Sequence, residues 1–194
     1  MAAGQGTGRG TLILVVGPSG VGKDSIIAGT AKRLCEDERI VFARRVITRP
    51  AEAGGEDHLA MAPVEFAAWR DAGRLMLHWR AHGFDYGLPQ ELAAALDEGR
   101  SVVANVSRTV VAEARARFAP VLVVPISASA ATLAARLTGR GRESPADIDS
   151  RLKRAGALPP DQADAVIDND GALEAAVERF VELVRARVAQ PAST

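Results

Sequence analysis

Only one residue in 194 is a cysteine, Cys35. Neither an intrachain disulfide nor a Cys-based zinc site can be built from it, and a reducing compartment is expected. Aromatics make up 4% of the chain, which leaves the core to Val, Leu, Ile and Ala. No sign of charge prevails, because 24 Lys and Arg balance 24 Asp and Glu. That balance speaks against a partner such as nucleic acid or an anionic membrane, although a phosphate site needs only local charge. No apolar run approaches the roughly 20 residues that span a bilayer. The Gly-rich stretch 1–10 lacks the apolar segment of a signal peptide. A cytoplasmic protein is expected, and its oligomeric state, a homodimer included, stays open.

What is present is an ordinary globular composition, 47% apolar and 25% charged, at a length that suits one α/β domain. Residues 1–10 read as a flexible leader, 11–188 as the domain and 189–194 as a tail. Thr11–Val16 is a continuous apolar run of the kind buried on both faces of a parallel sheet. A Gly-rich turn and a helix over about 22–35 follow it. Val41–Ile47 reads as one strand interrupted by basic residues. Pro63–Ala72 is a helix with Pro in its first turn. Leu75–Trp79, Ser101–Asn105 and Val121–Ile126 have strand length. Helices are expected over 90–97, 128–137, 145–155 and 173–188. Such alternation implies a mostly parallel sheet flanked by helices. The less regular stretch 44–90 reads as a small acceptor-binding insertion.

Gly17-Pro18-Ser19-Gly20-Val21-Gly22-Lys23 fits the G-x-x-x-x-G-K core of a phosphate-binding loop, between a strand and a helix as the motif requires. Glycines let successive N–H groups turn inward onto phosphate oxygens, and the helix start adds positive potential. Lys23 adds a full charge near the β- and γ-phosphates. The motif normally continues with a hydroxyl residue that meets Mg²⁺. Here Asp24 follows, then Ser25. A carboxylate beside a triphosphate needs a cation between them, so Asp24 is read as an Mg²⁺ ligand, directly or through water. The competing reading is a favourable acid at a helix N-terminus.

Further along, Arg140 and Arg142 interleave with Gly139 and Gly141, and Arg151 follows. Forked guanidiniums on a pliable backbone suit a lid, placed at about 139–146, that closes on phosphates and excludes water. Arg44, Arg45 and Arg49 lie on and after the second strand. Each taken singly reads as a surface charge, and Arg49 beside Thr48 is the best candidate for an acceptor phosphate. The spacing of His58, His78 and His82 matches no usual zinc pattern. Trp69 and Trp79 read as core residues. Tyr86, before Gly87, reads either as a phenol offered to the acceptor or as packing. Asn169 reads either as a base contact or as a turn residue.

The order of these pieces resembles the guanylate-kinase-like P-loop kinases. The phosphate loop, Arg49-Pro50 with Gly55-Glu56, Tyr86-Gly87, Arg136-Leu137 with Arg140-Gly141, and Asn169-Asp170 carry the likeness, over residues 11–188. Glu52 stands where that family usually has a second arginine. Asn105-Val106-Ser107-Arg108 stands where it has an acidic strand end. These departures, with Gly22-Lys23-Asp24-Ser25, Val46-Ile47-Thr48-Arg49-Pro50, Trp79-Arg80-Ala81-His82-Gly83 and Arg140-Gly141-Arg142-Glu143, resemble the ribose 1,5-bisphosphate phosphokinases of phosphonate catabolism.

That resemblance implies ATP-dependent, in-line phosphorylation of ribose 1,5-bisphosphate to 5-phosphoribosyl 1-diphosphate (PRPP), with ATP as co-substrate and Mg²⁺. On this reading Gly17 through Ser25 hold ATP, and Lys23, Arg140, Arg142 and Arg151 are catalytic. Arg49, Glu56, His82, Tyr86, Asn105, Ser107 and Arg108 face the acceptor. An acceptor phosphate is largely ionised at neutral pH, so no general base is required. Two alternatives are a guanylate kinase or other nucleoside monophosphate kinase, and a non-catalytic binding module of the same fold. Lys23 and the lid arginines speak against the module.

Overall fold

The structure, a computed structural model, describes residues 8–50, 56–139 and 162–189. Five parallel strands form the main sheet in the order β2-β7-β1-β8-β9. They are β1 (Leu12–Val16), β2 (Ile40–Phe42), β7 (Ser101–Asn105), β8 (Val121–Ser127) and β9 (Ile167–Asp168). Central β1 is buried at every position, as its continuous apolar run predicts. Its side chains alternate between faces. Leu12, Leu14 and Val16 join one cluster with Val102, Ala104 and Leu96. Ile13 and Val15 join the other with Ile26, Val103, Ile126 and Phe180. Helices α1 (Lys23–Arg33) and α6 (Leu173–Ala189) cover that second face, through Ile26 and through Val177, Phe180, Val181 and Val184. Helices α3 (Glu91–Asp97) and α4 (Val111–Arg117) cover the first, through Leu96, Val111 and Ala114. Between β8 and the residues outside the description runs α5 (Ala130–Gly139), which seats Leu133 in the second cluster.

The second sheet has four strands in the order β4-β3-β6-β5, formed by β3 (Val46–Ile47), β4 (Leu59–Ala60), β5 (Leu75–Ala81) and β6 (Phe84–Pro89). Helix α2 (Pro63–Asp71) packs Phe66 against Val46 and Leu75. The single strand expected over 41–47 is therefore two strands in two sheets. Phe42 ends β2, and the chain leaves the main sheet through Ala43, Arg44 and Arg45 before β3 begins. Apolar pattern alone could not show this, because both halves are apolar and the division depends on which partner each one pairs with. The stretch β6, β4 and α4 was not assigned from sequence. Within the expected leader, Arg9 pairs with Asp97 at 2.8 Å and the Gly10 amide donates to the Leu96 carbonyl at 2.8 Å.

Because all five main strands run parallel, their carboxyl ends gather on one edge, where ligands of open α/β sheets bind. The phosphate loop follows β1, Ser107 and Arg108 follow β7, and Asn169 follows β9. The second sheet brings Arg45, Arg49 and Tyr86 to the same edge, as their contacts show.

Candidate active site

Val16 delivers the chain into the phosphate loop, and three glycines with positive φ (Gly17 at 146°, Gly20 at 87°, Gly22 at 97°) bend it. A Cβ at Gly22 would stand 2.5 Å from the amide nitrogen of Asn169. That nitrogen donates to the Val21 carbonyl at 2.7 Å, and Asn169 is 2% exposed. Arg136, from α5, donates to the Asn169 carbonyl at 2.8 Å and to the Val21 carbonyl at 3.4 Å. Val21 itself is anchored in the core. Asn169 and Arg136 thus brace the loop from behind. Sequence left Asn169 as a base contact or a turn residue; in the structure its side-chain amide buttresses the phosphate loop. Sequence had no signal for the bracing, since the three residues lie far apart along the chain.

Gly22 begins α1 without a side-chain cap, so the amides of the first turn remain available to an anion. The Lys23 ammonium donates to the carbonyls of Gly17 and Pro18 at 2.8 and 2.9 Å. Burial pulls its pKa from 10.5 down to about 8, with the charges of Arg45 and Arg108 acting in the same direction and Asp24 and Glu56 opposing them. Lys23 is therefore a desolvated cation among charges of both signs, and an anionic ligand beside it would favour its charged form. Ser25 lies exposed on α1. Next to Lys23, the Asp24 side chain is half exposed, and its Oδ1 accepts from Asn105 Nδ2 at 2.6 Å. The Asn105 Oδ1 is buried without a hydrogen-bond partner. The carboxylate and this orphan amide oxygen are hard oxygen donors of the kind Mg²⁺ takes. Among the described residues there is no group of three or more His, Cys, Asp or Glu that could hold a metal. These two donors therefore suit an ion carried mainly by phosphate oxygens and water, the usual arrangement for Mg²⁺.

On the other side of Asp24 lies an arginine–glutamate cluster. Arg45 is 9% exposed at its side chain. Its Nε donates to Glu56 Oε2 at 2.8 Å, its Nη2 bonds the same oxygen, and its Nη1 donates to the Asn105 carbonyl at 3.3 Å. The guanidinium also lies 3.7 Å from Asp24 Oδ1 and 5.4 Å from the centre of the Tyr86 ring. Tyr86 stacks on Trp79 at 5.6 Å with 8° between the planes, which fixes its phenol edge. Burial raises the Tyr86 pKa, against the pull of Arg45 and Arg49. Arg49 Nη2 lies 3.7 Å from Glu56 Oε1, too long for a hydrogen bond. Its Nε and Nη2 are buried with no hydrogen-bond partner among the described residues. Buried donors of this kind are costly unless something accepts from them. His58, also buried, sets one ring nitrogen 3.1 Å from the Glu56 carbonyl and the other 3.0 Å from the Arg49 carbonyl. It ties the two residues together by their backbones.

The residues expected to share a site divide accordingly. Lys23, Asp24, Asn105, Arg49, Glu56 and Tyr86 come together, and Arg108 is near enough to act on Lys23. Ser107 Oγ caps its own short turn by accepting from the Thr109 amide at 3.3 Å. His82 is exposed at the β5–β6 turn with φ 51°. Arg140, Arg142 and Arg151, with the lid itself, lie outside the described residues. Arg45, read singly as a surface charge, Arg136, read only as part of the family likeness, and His58, read only as no zinc ligand, were not assigned to the site. Arg45 carried the one available signal, one of a basic pair set into an otherwise apolar run over 40–47.

A glycine loop between a parallel strand and a helix, a lysine aimed into it and a cationic cluster opposite define a P-loop kinase fold. Residues 9–187 match the guanylate kinase family model, and the chain belongs to that family. More particularly, it is 48% identical over 185 residues to the ribose 1,5-bisphosphate phosphokinase PhnN of Rhodopseudomonas palustris, covering 95% of this chain and 93% of that protein. It is 47% identical over 177 residues to the bifunctional ribose 1,5-bisphosphokinase-thymidine phosphorylase of Cupriavidus necator. There the match takes in 91% of this chain but 29% of the relative's length. Among solved structures, the guanylate kinase of Anaplasma phagocytophilum shares the fold at a TM-score of 0.68 and 23% identity, over 95% of this chain and 89% of that one.

Proposed function

We propose that this protein transfers the γ-phosphoryl group of ATP to ribose 1,5-bisphosphate, giving ADP and 5-phosphoribosyl 1-diphosphate. The observation that carries the reading is Arg49, whose Nε and Nη2 are buried without a hydrogen-bond partner, opposite a phosphate loop whose lysine is already desolvated. An anionic acceptor placed there satisfies both. The names of the relatives supply the acceptor's identity, and their likeness extends across the whole domain. Gly17 through Ser25 bind the triphosphate, with Lys23 at the transferring group. Arg49 and Tyr86 meet the acceptor phosphate, Glu56 sets the arginines, and Arg108 and Asn105 line the space between. Ser107 and His82 complete the acceptor side. Arg140, Arg142 and Arg151 close over the phosphates as a lid. Asp24 with Asn105 is the place in this chain that would hold Mg²⁺, which would supply positive charge to the phosphate oxygens. The stretch 44–90 is the acceptor-binding part of the domain.

No proton need be removed, since the attacking phosphate oxygen is ionised at neutral pH. Alignment and charge neutralisation therefore do the catalytic work. ADP release is to be followed with Mg-ATP and either ribose 1,5-bisphosphate or GMP as acceptor. Turnover with the sugar bisphosphate, with formation of 5-phosphoribosyl 1-diphosphate, is the expected result. Turnover with GMP alone would overturn the acceptor while leaving the donor site intact. ADP release with neither acceptor would remove the kinase reading.

A further inference from the structure

Glu56 has one carboxylate and two arginines within reach, and the structure divides it unequally. Oε2 takes both Nε and Nη2 of Arg45, whereas Oε1 stays 3.7 Å from Arg49 Nη2. Arg45 is kept in this pose by contacts that have nothing to do with Glu56: the Asn105 carbonyl at 3.3 Å, the Tyr86 ring at 5.4 Å and the Asp24 carboxylate at 3.7 Å. A planar fork held on several sides gives up little freedom in binding the carboxylate. Arg49 is left with two buried nitrogens that make no hydrogen bond.

We propose that Arg45 is a positioning residue for the acceptor: by holding the Glu56 carboxylate it prevents that carboxylate from capturing Arg49, and so keeps Arg49 open to the acceptor phosphate. The proposal rests on the kinase reading above. Its physical basis is the cost of an uncompensated buried charge. With Arg45 removed, Glu56, 14% exposed at its side chain, keeps a carboxylate without its main partner. Among the described residues, the other guanidinium paired with Glu56 is that of Arg49, 3.7 Å from Oε1. Once paired internally, Arg49 binds a phosphate only by giving up that pair, so the acceptor competes with the protein's own anion. The donor side is largely spared, because Lys23 and the loop amides hold the triphosphate without Arg45.

The test compares steady-state kinetics of the wild type, Arg45→Met and the double variant R45M/E56Q, varying acceptor at saturating Mg-ATP and then the reverse. Arg45→Met is expected to raise the acceptor KM about tenfold or more, with the Mg-ATP KM within about threefold. Removing the freed carboxylate as well should return the acceptor KM to within about threefold of wild type. A purely structural role for Arg45 predicts the opposite, since the second substitution would add further damage. An acceptor KM in the double variant as high as in the single one, or no rise in Arg45→Met, overturns the proposal. Should Arg45→Met fail to fold by circular dichroism, R45Q and R45Q/E56Q carry the same comparison with a polar side chain in place. If the wild type turns over GMP and not the sugar bisphosphate, the acceptor reading fails, and the Arg45 comparison is read on GMP.

Discussion

Lys23 shows how one residue's surroundings set a measurable property. Its pKa is lowered to about 8, first by burial, so the charged form is disfavoured in the folded, nucleotide-free protein. Between about pH 8 and 10.5 the unfolded chain then holds a proton that the folded chain lacks. Stability contributed at this site therefore rises with pH through that window, and below it the cost of the buried charge is carried in full. A triphosphate reverses the preference by favouring the ammonium. Nucleotide binding above about pH 8 is thus expected to take up a proton, approaching one per site as pH rises. Calorimetry in two buffers of different ionisation enthalpy measures this directly, and equal heats at pH 8.5 would count against a neutral Lys23. Asp24 is legible in the sequence as a departure from the usual hydroxyl. Its neighbour Asn105 is legible only as a missing acid. That the two touch at 2.6 Å could not be read from residues 81 positions apart.

Glycines separate local from tertiary demands within single elements. Gly83 and His82 form the two-residue turn of the β5–β6 hairpin, with φ of 81° and 51°, the signature of the turn that matches strand twist. A Cβ at Gly83 would meet nothing within 4 Å, so Gly83→Ala should cost only backbone strain, about 1 kcal/mol. For a chain of this size that is about 2–4 °C in Tm, with Mg-ATP kinetics unchanged. Gly22→Ala suffers the same strain and drives a methyl to 2.5 Å from the amide that braces the loop. It should lose a similar amount of stability or more, and in addition at least about tenfold in kcat/KM for Mg-ATP. Thermal melts and kinetics on the two variants together check both claims; equal kinetic effects would show that the Asn169 brace is unimportant. The long elements were legible from their patterns. The apolar run of β1 and the seam of α6 each bury enough to decide their own conformation, and Pro63 marks the start of α2 through its fixed φ. The two-residue strand β4 was not, and β3 could not be told apart from β2, since in elements so short the partner strand decides.

For the whole molecule, ligand binding and stability are one equilibrium. A ligand at about a hundred times its dissociation constant stabilises the native state by about 2.7 kcal/mol, or several degrees in Tm here. Mg-ATP should produce that shift in the wild type. Lys23→Met should abolish most of it while leaving the unliganded Tm equal or higher, because a desolvated charge is replaced by an apolar side chain of similar length. A lower unliganded Tm would mean that Lys23 also holds the loop together through Gly17 and Pro18.

The sequence by itself determined the class of fold, the phosphate loop and the family, because these depend on contiguous patterns: an apolar run, a spaced set of glycines, a lysine at a helix start. Tertiary structure alone decided which charges meet. Arg45 and Arg49 sit four residues apart in one basic segment, yet one is spent on Glu56 and Asn105 while the other is left with open donors. The division arises where the chain crosses from the main sheet to the second. Where two sheets share one edge, the cost of burying each charge depends on partners that no local pattern contains.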